Sequence, residues 1–141
     1  MTAQDDLKTA MNLIDSLNAH DMSVWASHLA PGFGADYPGA SGLNAQGARL
    51  FNESFFPAFS DLHFEVQRTL VAGDSVIIEW RAGGTHDGPL TSPTGQTIPA
   101  TYRKGAISGV LVADVKDGQI THERTYWDQM ELLGQLGLLP A

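Results

Sequence analysis

The chain has 141 residues, 43% of them apolar and 17% charged, which is the composition of a folded domain of ordinary size, not of a disordered segment. Sixteen acidic against eight basic residues leave a net charge of -8 and no basic patch, so nucleic acid is excluded as a natural partner. The absence of cysteine removes disulfides, thiolate catalysis and cysteine-ligated metals, leaving acid, base and hydroxyl chemistry.

Leu7, Ala10, Met11, Ile14 and Leu17 recur at spacings of three and four, so residues 3–19 are expected to form an amphipathic helix, with Thr2 as N-cap and Asp5 and Asp6 in the first turn. Ser23 is expected to cap a second short helix carrying Val24, Trp25 and Leu29, which Pro31-Gly32 ends. The Gly-rich stretch 33–47, with Asp36-Tyr37-Pro38, reads as extended or looped. A third helix over about 45–59 carries Leu50, Phe51, Phe55 and Phe56.

From Asp61 the period changes to two. Leu62, Phe64 and Val66 alternate with His63, Glu65 and Gln67, and after the turn 72–75 a second strand places Val76, Ile78 and Trp80 on one face. Gly83 to Gly88 breaks this strand, residues 89–99 form a loop, and a third strand spans about 100–115. Asp117-Gly118 marks a tight hairpin turn into a last strand, 120–128, followed by a short helix stopped at Gly137 or Pro140. Helices first and strands after predict an α+β domain over residues 1–141, with the N-terminal helices packed on a curved antiparallel sheet around a pocket. No run approaches the roughly 18 apolar residues of a membrane span, and MTAQDDLKTA lacks the basic-then-apolar order of a signal peptide, so a cytoplasmic protein without a membrane partner is expected.

Several stretches, in this order and spacing, resemble the SnoaL-like polyketide cyclase family, within the superfamily shaped like nuclear transport factor 2 and ketosteroid isomerase. They are Phe59-Ser60-Asp61-Leu62-His63, Gly73 to Trp80, Gly84-Thr85-His86-Asp87-Gly88, Pro93-Thr94-Gly95, Asp117-Gly118-Gln119-Ile120, Trp127-Asp128 and Gln135-Leu136-Gly137. The resemblance implies a cone-shaped domain with a deep pocket, commonly a homodimer. It also implies aldol-type ring closure by a carboxylate on the last strand with a His on the strand before. Anchored on the Asp117-Gly118 turn and the Gln135-Leu136-Gly137 tail, those positions fall at Thr125 and Leu111, which cannot do that chemistry.

Other residues are candidates for it. Asp128, between Tyr126-Trp127 and Met130, reads either as an acid/base whose pKa burial would raise or as the N-cap of the last helix. His86, among glycines, either transfers protons beside a ligand or merely ends a strand. Tyr37 is a candidate hydrogen-bond donor to a carbonyl or enolate oxygen. Trp25, Phe51, Phe55, Trp80 and Tyr102 are expected pocket or core walls.

On the last strand Thr121, Glu123, Thr125 and Trp127 share one face and His122, Arg124, Tyr126 and Asp128 the other. Either Thr125 and Trp127 line the pocket while the opposite row meets a second subunit, or that opposite row is the functional one. A Glu123-Arg124 pair reads as a solvated or interfacial salt bridge. The five His residues show no metal-ligand spacing and no glycine pattern fits a nucleotide, so neither metal nor cofactor is expected. The expected ligand is an apolar carbonyl-bearing small molecule. The expected function is cofactor-free cyclisation or isomerisation, with a ligand-binding module or an interaction scaffold as alternatives.

Overall fold

The computed structural model describes residues 2–92 and 95–139. Pro93, Thr94 and Pro140, used above, lie outside them. The elements in order are α1 (Ala3–Asn18), α2 (Met22–Ser27), β1 (Leu29–Tyr37), β2 (Ala40–Leu43), α3 (Ala45–Glu53), α4 (Phe55–Ala58), β3 (His63–Ala72), β4 (Ser75–Thr85), β5 (Leu90–Thr91), β6 (Thr97–Ile98), β7 (Lys104–Lys116), β8 (Gln119–Trp127) and α5 (Gln129–Gln135). Six strands form one curved sheet in the order β2-β1-β8-β7-β4-β3, and the helices of the first part of the chain pack on its inner face.

Local chemistry accounts for the element ends. Thr2 and Asp5 form a reciprocal capping box on α1, and Asp128 caps α5. The cap of α2 is Asp21 and not Ser23: the Asp21 carboxylate accepts the Ser23 and Val24 N–H groups at 3.1 Å each. Asp117 and Gly118 both have positive φ, 52° and 75°, as a two-residue turn between antiparallel strands requires.

The stretch from residue 33, read as extended or looped, is extended, the strand takes in residues 29–32 that were read as the end of α2, and the sheet is not wholly antiparallel. Residues 29–37 are a strand, and β1 pairs in parallel with β8, through Ala35 opposite Glu123 and Asp36 opposite Arg124. Pro31, Gly32 and Gly34 gave this stretch the look of a loop. The register shift between Leu29 and Gly34 absorbs the Pro-Gly pair, so the strand survives with an irregular start. The other pairings of the large sheet are antiparallel.

The inner sheet face carries Val76, Ile78 and Trp80 from β4 and Ile107, Leu111, Ala113 and Val115 from β7, all buried against Leu13, Ile14 and Leu17 of α1. Each valine, leucine or isoleucine among them, removed from water, contributes about 1.5–3 kcal/mol. One glycine is decisive here. A Cβ on Gly109 would lie 2.2 Å from the Trp80 ring, so the indole of β4 lies flat against the β7 backbone because nothing projects from it. Among the described residues no helix is long and apolar enough to cross a membrane.

Candidate functional site

Alternation along β8 turns Glu123, Thr125 and Trp127 inward and His122, Arg124 and Tyr126 outward. Arg124 therefore does not meet Glu123: it reaches Asp114 on β7 at 3.3 Å, while His122 Nε2 lies 3.0 Å from Asp36 on β1. The expected Glu123-Arg124 salt bridge is absent because neighbours on a strand face opposite ways.

Glu123 is 3% exposed. Its Oε1 accepts the Tyr37 hydroxyl at 2.9 Å and its Oε2 the Thr125 hydroxyl at 2.6 Å. The Tyr37 oxygen in turn accepts from the Asn52 amide at 3.0 Å, and that amide also donates to the Ala48 carbonyl at 2.9 Å. Parallel pairing of β1 with β8 brings Tyr37 to the carboxylate, and α3 delivers Asn52. The Tyr37 ring is stacked on Phe51, with centroids 4.5 Å apart and planes 9° from parallel.

These groups sit in the wall of a cavity of about 80 Å³, partly open to solvent, whose remaining lining is mostly Phe55, Phe56, Phe59, Phe64, Trp80 and Trp127 with aliphatic neighbours. A water needs about 10–15 Å³ on the same measure, so the space holds several waters or part of a small ring. Among the described residues that line it, Glu123 and Tyr37 are the titratable ones. Burial pushes the Glu123 carboxyl above its ordinary value, and the bonds from Thr125 and Tyr37 offset this only in part. Burial, with the Glu123 charge added, holds the Tyr37 phenol well above its own ordinary value.

Of the residues singled out from sequence, Tyr37, Phe55, Trp80, Thr125 and Trp127 line this cavity together. Phe51 stands behind Tyr37. Trp25 is not a pocket wall: it is 1% exposed in the core, edge-on to Phe33. Tyr102 is not one either, being 75% exposed, with φ 58° in the segment that leads into β7.

Asp128 lies outside the cavity lining, and its carboxylate accepts the Met130 and Glu131 N–H groups at 3.0 and 3.2 Å. His86 also lies outside it. It is fully buried, stacked on Phe59, and its Nδ1 accepts the Thr101 N–H at 3.2 Å. Burial lowers its pKa, an effect the Asp87 charge offsets in part. Tyr37 directs its single proton to Glu123, so the hydroxyl is not free for a ligand carbonyl. Glu123 and Asn52 were missed, although strand parity already set Glu123 beside Thr125 and Trp127. Among the described residues no group of three His, Asp or Glu side chains is arranged to hold a metal ion.

The sequence model of the SnoaL-like polyketide cyclase family matches residues 8–136. The chain belongs to that family. Among solved structures, this SnoaL-like chain is similar to a proposed SnoaL-like polyketide cyclase from Jannaschia sp. CCS1 (23% identity, 97% of this chain and 94% of that one, TM-score 0.84). It is also similar to AclR from Streptomyces galilaeus, proposed to be a hydroxylase (20% identity, 99% and 100% covered, TM-score 0.84). A third is IdmH from Streptomyces antibioticus, a proposed polyketide cyclase (23% identity, 94% and 98% covered, TM-score 0.79). At these identities the likeness establishes the SnoaL-like fold. No curated protein matches the chain in sequence. A carboxylate is present on the last strand of this SnoaL-like chain, two residues before Thr125, where the resemblance had set it.

Proposed function

We propose that the chain is a cofactor-independent enzyme of the cyclase or isomerase type, in which Glu123 moves a proton on a small apolar carbonyl compound. One observation carries the reading: a fully buried carboxylate, with a raised pKa, in the wall of an otherwise aromatic cavity. As the carboxylate, Glu123 removes a proton from the carbon next to the carbonyl, and the C–H electron pair becomes the enolate. Where the substrate is a β,γ-unsaturated ketone the enolate is conjugated, and the proton returns from Glu123 to its γ-carbon, which shifts the double bond and isomerises the substrate. Alternatively the enolate carbon bonds to a second carbonyl carbon and the resulting alkoxide takes the proton, which closes a ring. Both routes balance without a further reactant. A carboxyl with a raised pKa serves as base and acid in turn.

The test is deuterium exchange at the α-carbon of a panel of small cyclic ketones. Glu123→Gln is expected to lower the catalysed rate by about 10²–10⁴-fold, the range of a positioned general base. Parent and variant exchanging at the same rate would contradict the reading. A second reading, a ligand-binding module, is favoured by the two hydrogen bonds that already occupy both Glu123 oxygens. It predicts ketone binding in both proteins and exchange in neither.

The same reading takes the active form as a homodimer joined through the outer sheet face. Ile77, Val110 and Val112 lie there beside the exposed Leu70 and Tyr126.

A further inference from the structure

Asn52 has no part in the proton transfer just described, yet one of its two hydrogen bonds goes to Tyr37, the donor to Glu123. Asn side chains are two-fold ambiguous, because oxygen and nitrogen can be exchanged by a flip of the amide. Here the Ala48 carbonyl settles the matter. It lies 2.9 Å from one terminal atom of the amide, and only nitrogen is tolerated against a carbonyl oxygen. That nitrogen is the atom 3.0 Å from the Tyr37 oxygen, so Asn52 donates to the phenol and cannot accept from it.

The consequence passes to Tyr37. Its ring plane is fixed by the stack on Phe51, and a phenolic proton prefers that plane. With the oxygen already accepting an amide N–H, its proton goes to its other polar partner, Glu123 Oε1 at 2.9 Å. The lone pair of Oε1 that faces Tyr37 is thereby held as an acceptor in both protonation states of Glu123, because a proton placed there would meet the Tyr37 proton head-on. The Thr125 hydroxyl beside Oε2 carries no such constraint: it can rotate, donating to the carboxylate and accepting from the acid.

We infer that Asn52 is a positioning residue acting through Tyr37, which commits the phenolic proton to Glu123 and so sets the protonation midpoint of the carboxyl. This rests on the reading of Glu123 as the acid/base.

The experiment is a pH titration of the Glu123 carboxyl by carbon NMR in protein labelled at Glu side chains, with Glu123→Gln assigning the signal. Asn52→Leu, which keeps the volume, and Asn52→Ala, which keeps the helix, are each expected to raise the Glu123 midpoint. Tyr37 becomes a weaker donor to the carboxylate and is free to accept from the acid. In the Tyr37→Phe background the same substitutions are expected to leave the midpoint where Tyr37→Phe alone puts it. In the exchange assay kcat is expected to fall about fivefold with KM held, the equivalent of one net hydrogen bond.

A parental midpoint in whichever Asn52 variant folds, or an equal rise with and without Tyr37, overturns the inference. Should Glu123→Gln retain full exchange, the proposed function fails separately, while the midpoints still decide whether Asn52 acts on Glu123.

Discussion

Glu123 is costly where it stands. A carboxylate removed from water into aromatic surroundings is destabilised relative to the acid, and two hydroxyl donors recover only part of the loss. The cost has a testable sign. The folded-state pKa lies above the unfolded value, so between the two the folded protein binds more protons. This contribution to stability is therefore full below the unfolded value and is lost as pH rises through the folded one. Urea denaturation from pH 4 to 8 is expected to show the parent losing stability relative to Glu123→Gln as pH rises. Asp36 and Asp87 act in the opposite sense, since hydrogen bonds from Gly42 and from Ser60 hold them low. Both are present in both proteins and cancel in the comparison. A difference between parent and variant that is flat with pH would show that Glu123 titrates alike folded and unfolded. The residue was overlooked in the sequence because Glu123 and Arg124 are adjacent and opposite in charge. Adjacency in a strand separates side chains, and the parity that placed Thr125 and Trp127 inward placed Glu123 with them.

Asp128 shows the same lesson at the scale of an element. Its apolar flanks suggested a buried acid, but a strand-to-helix junction asks first for a cap, and its carboxylate meets two N–H groups of α5. Asp128→Ala is expected to cost about 1 kcal/mol of stability in urea denaturation and to leave ketone exchange unchanged. Loss of exchange in a folded Asp128→Ala protein would return the residue to the site. Elements specified by local pattern were legible, among them α1 with its Thr2 cap, the β3–β4 hairpin and the Asp117-Gly118 turn. β1 was not. Its Pro31, Gly32 and Gly34 carry loop chemistry, and its partner β8 lies some ninety residues on, so the parallel pairing that brings Tyr37 to Glu123 leaves no local trace. With β1 hidden, Tyr37 was visible as a candidate but its partner was not.

At the scale of the whole molecule the sheet has two unlike faces. The inner one closes on helices and the cavity. The outer one presents Tyr126, 55% exposed, and Leu70, 41% exposed, beside the valines of β7, with the Arg68–Glu79 and Arg124–Asp114 ion pairs on the same face. Such pairs contribute about 0–1 kcal/mol each and do not by themselves occupy the surface. Tyr126→Asp is expected to convert a dimer to a monomer in light scattering coupled to size exclusion, with the fold retained. A parent that is monomeric at all concentrations would remove the outer face from the account.

The site itself is tested most directly by the pH dependence of ketone α-proton exchange, measured on parent and Glu123→Gln side by side. The parental rate is expected to rise with pH through a single midpoint above the ordinary range for glutamate, coincident with the Glu123 carboxyl titration, and the variant to lack that midpoint. A parental profile that Glu123→Gln reproduces would contradict the role given to Glu123.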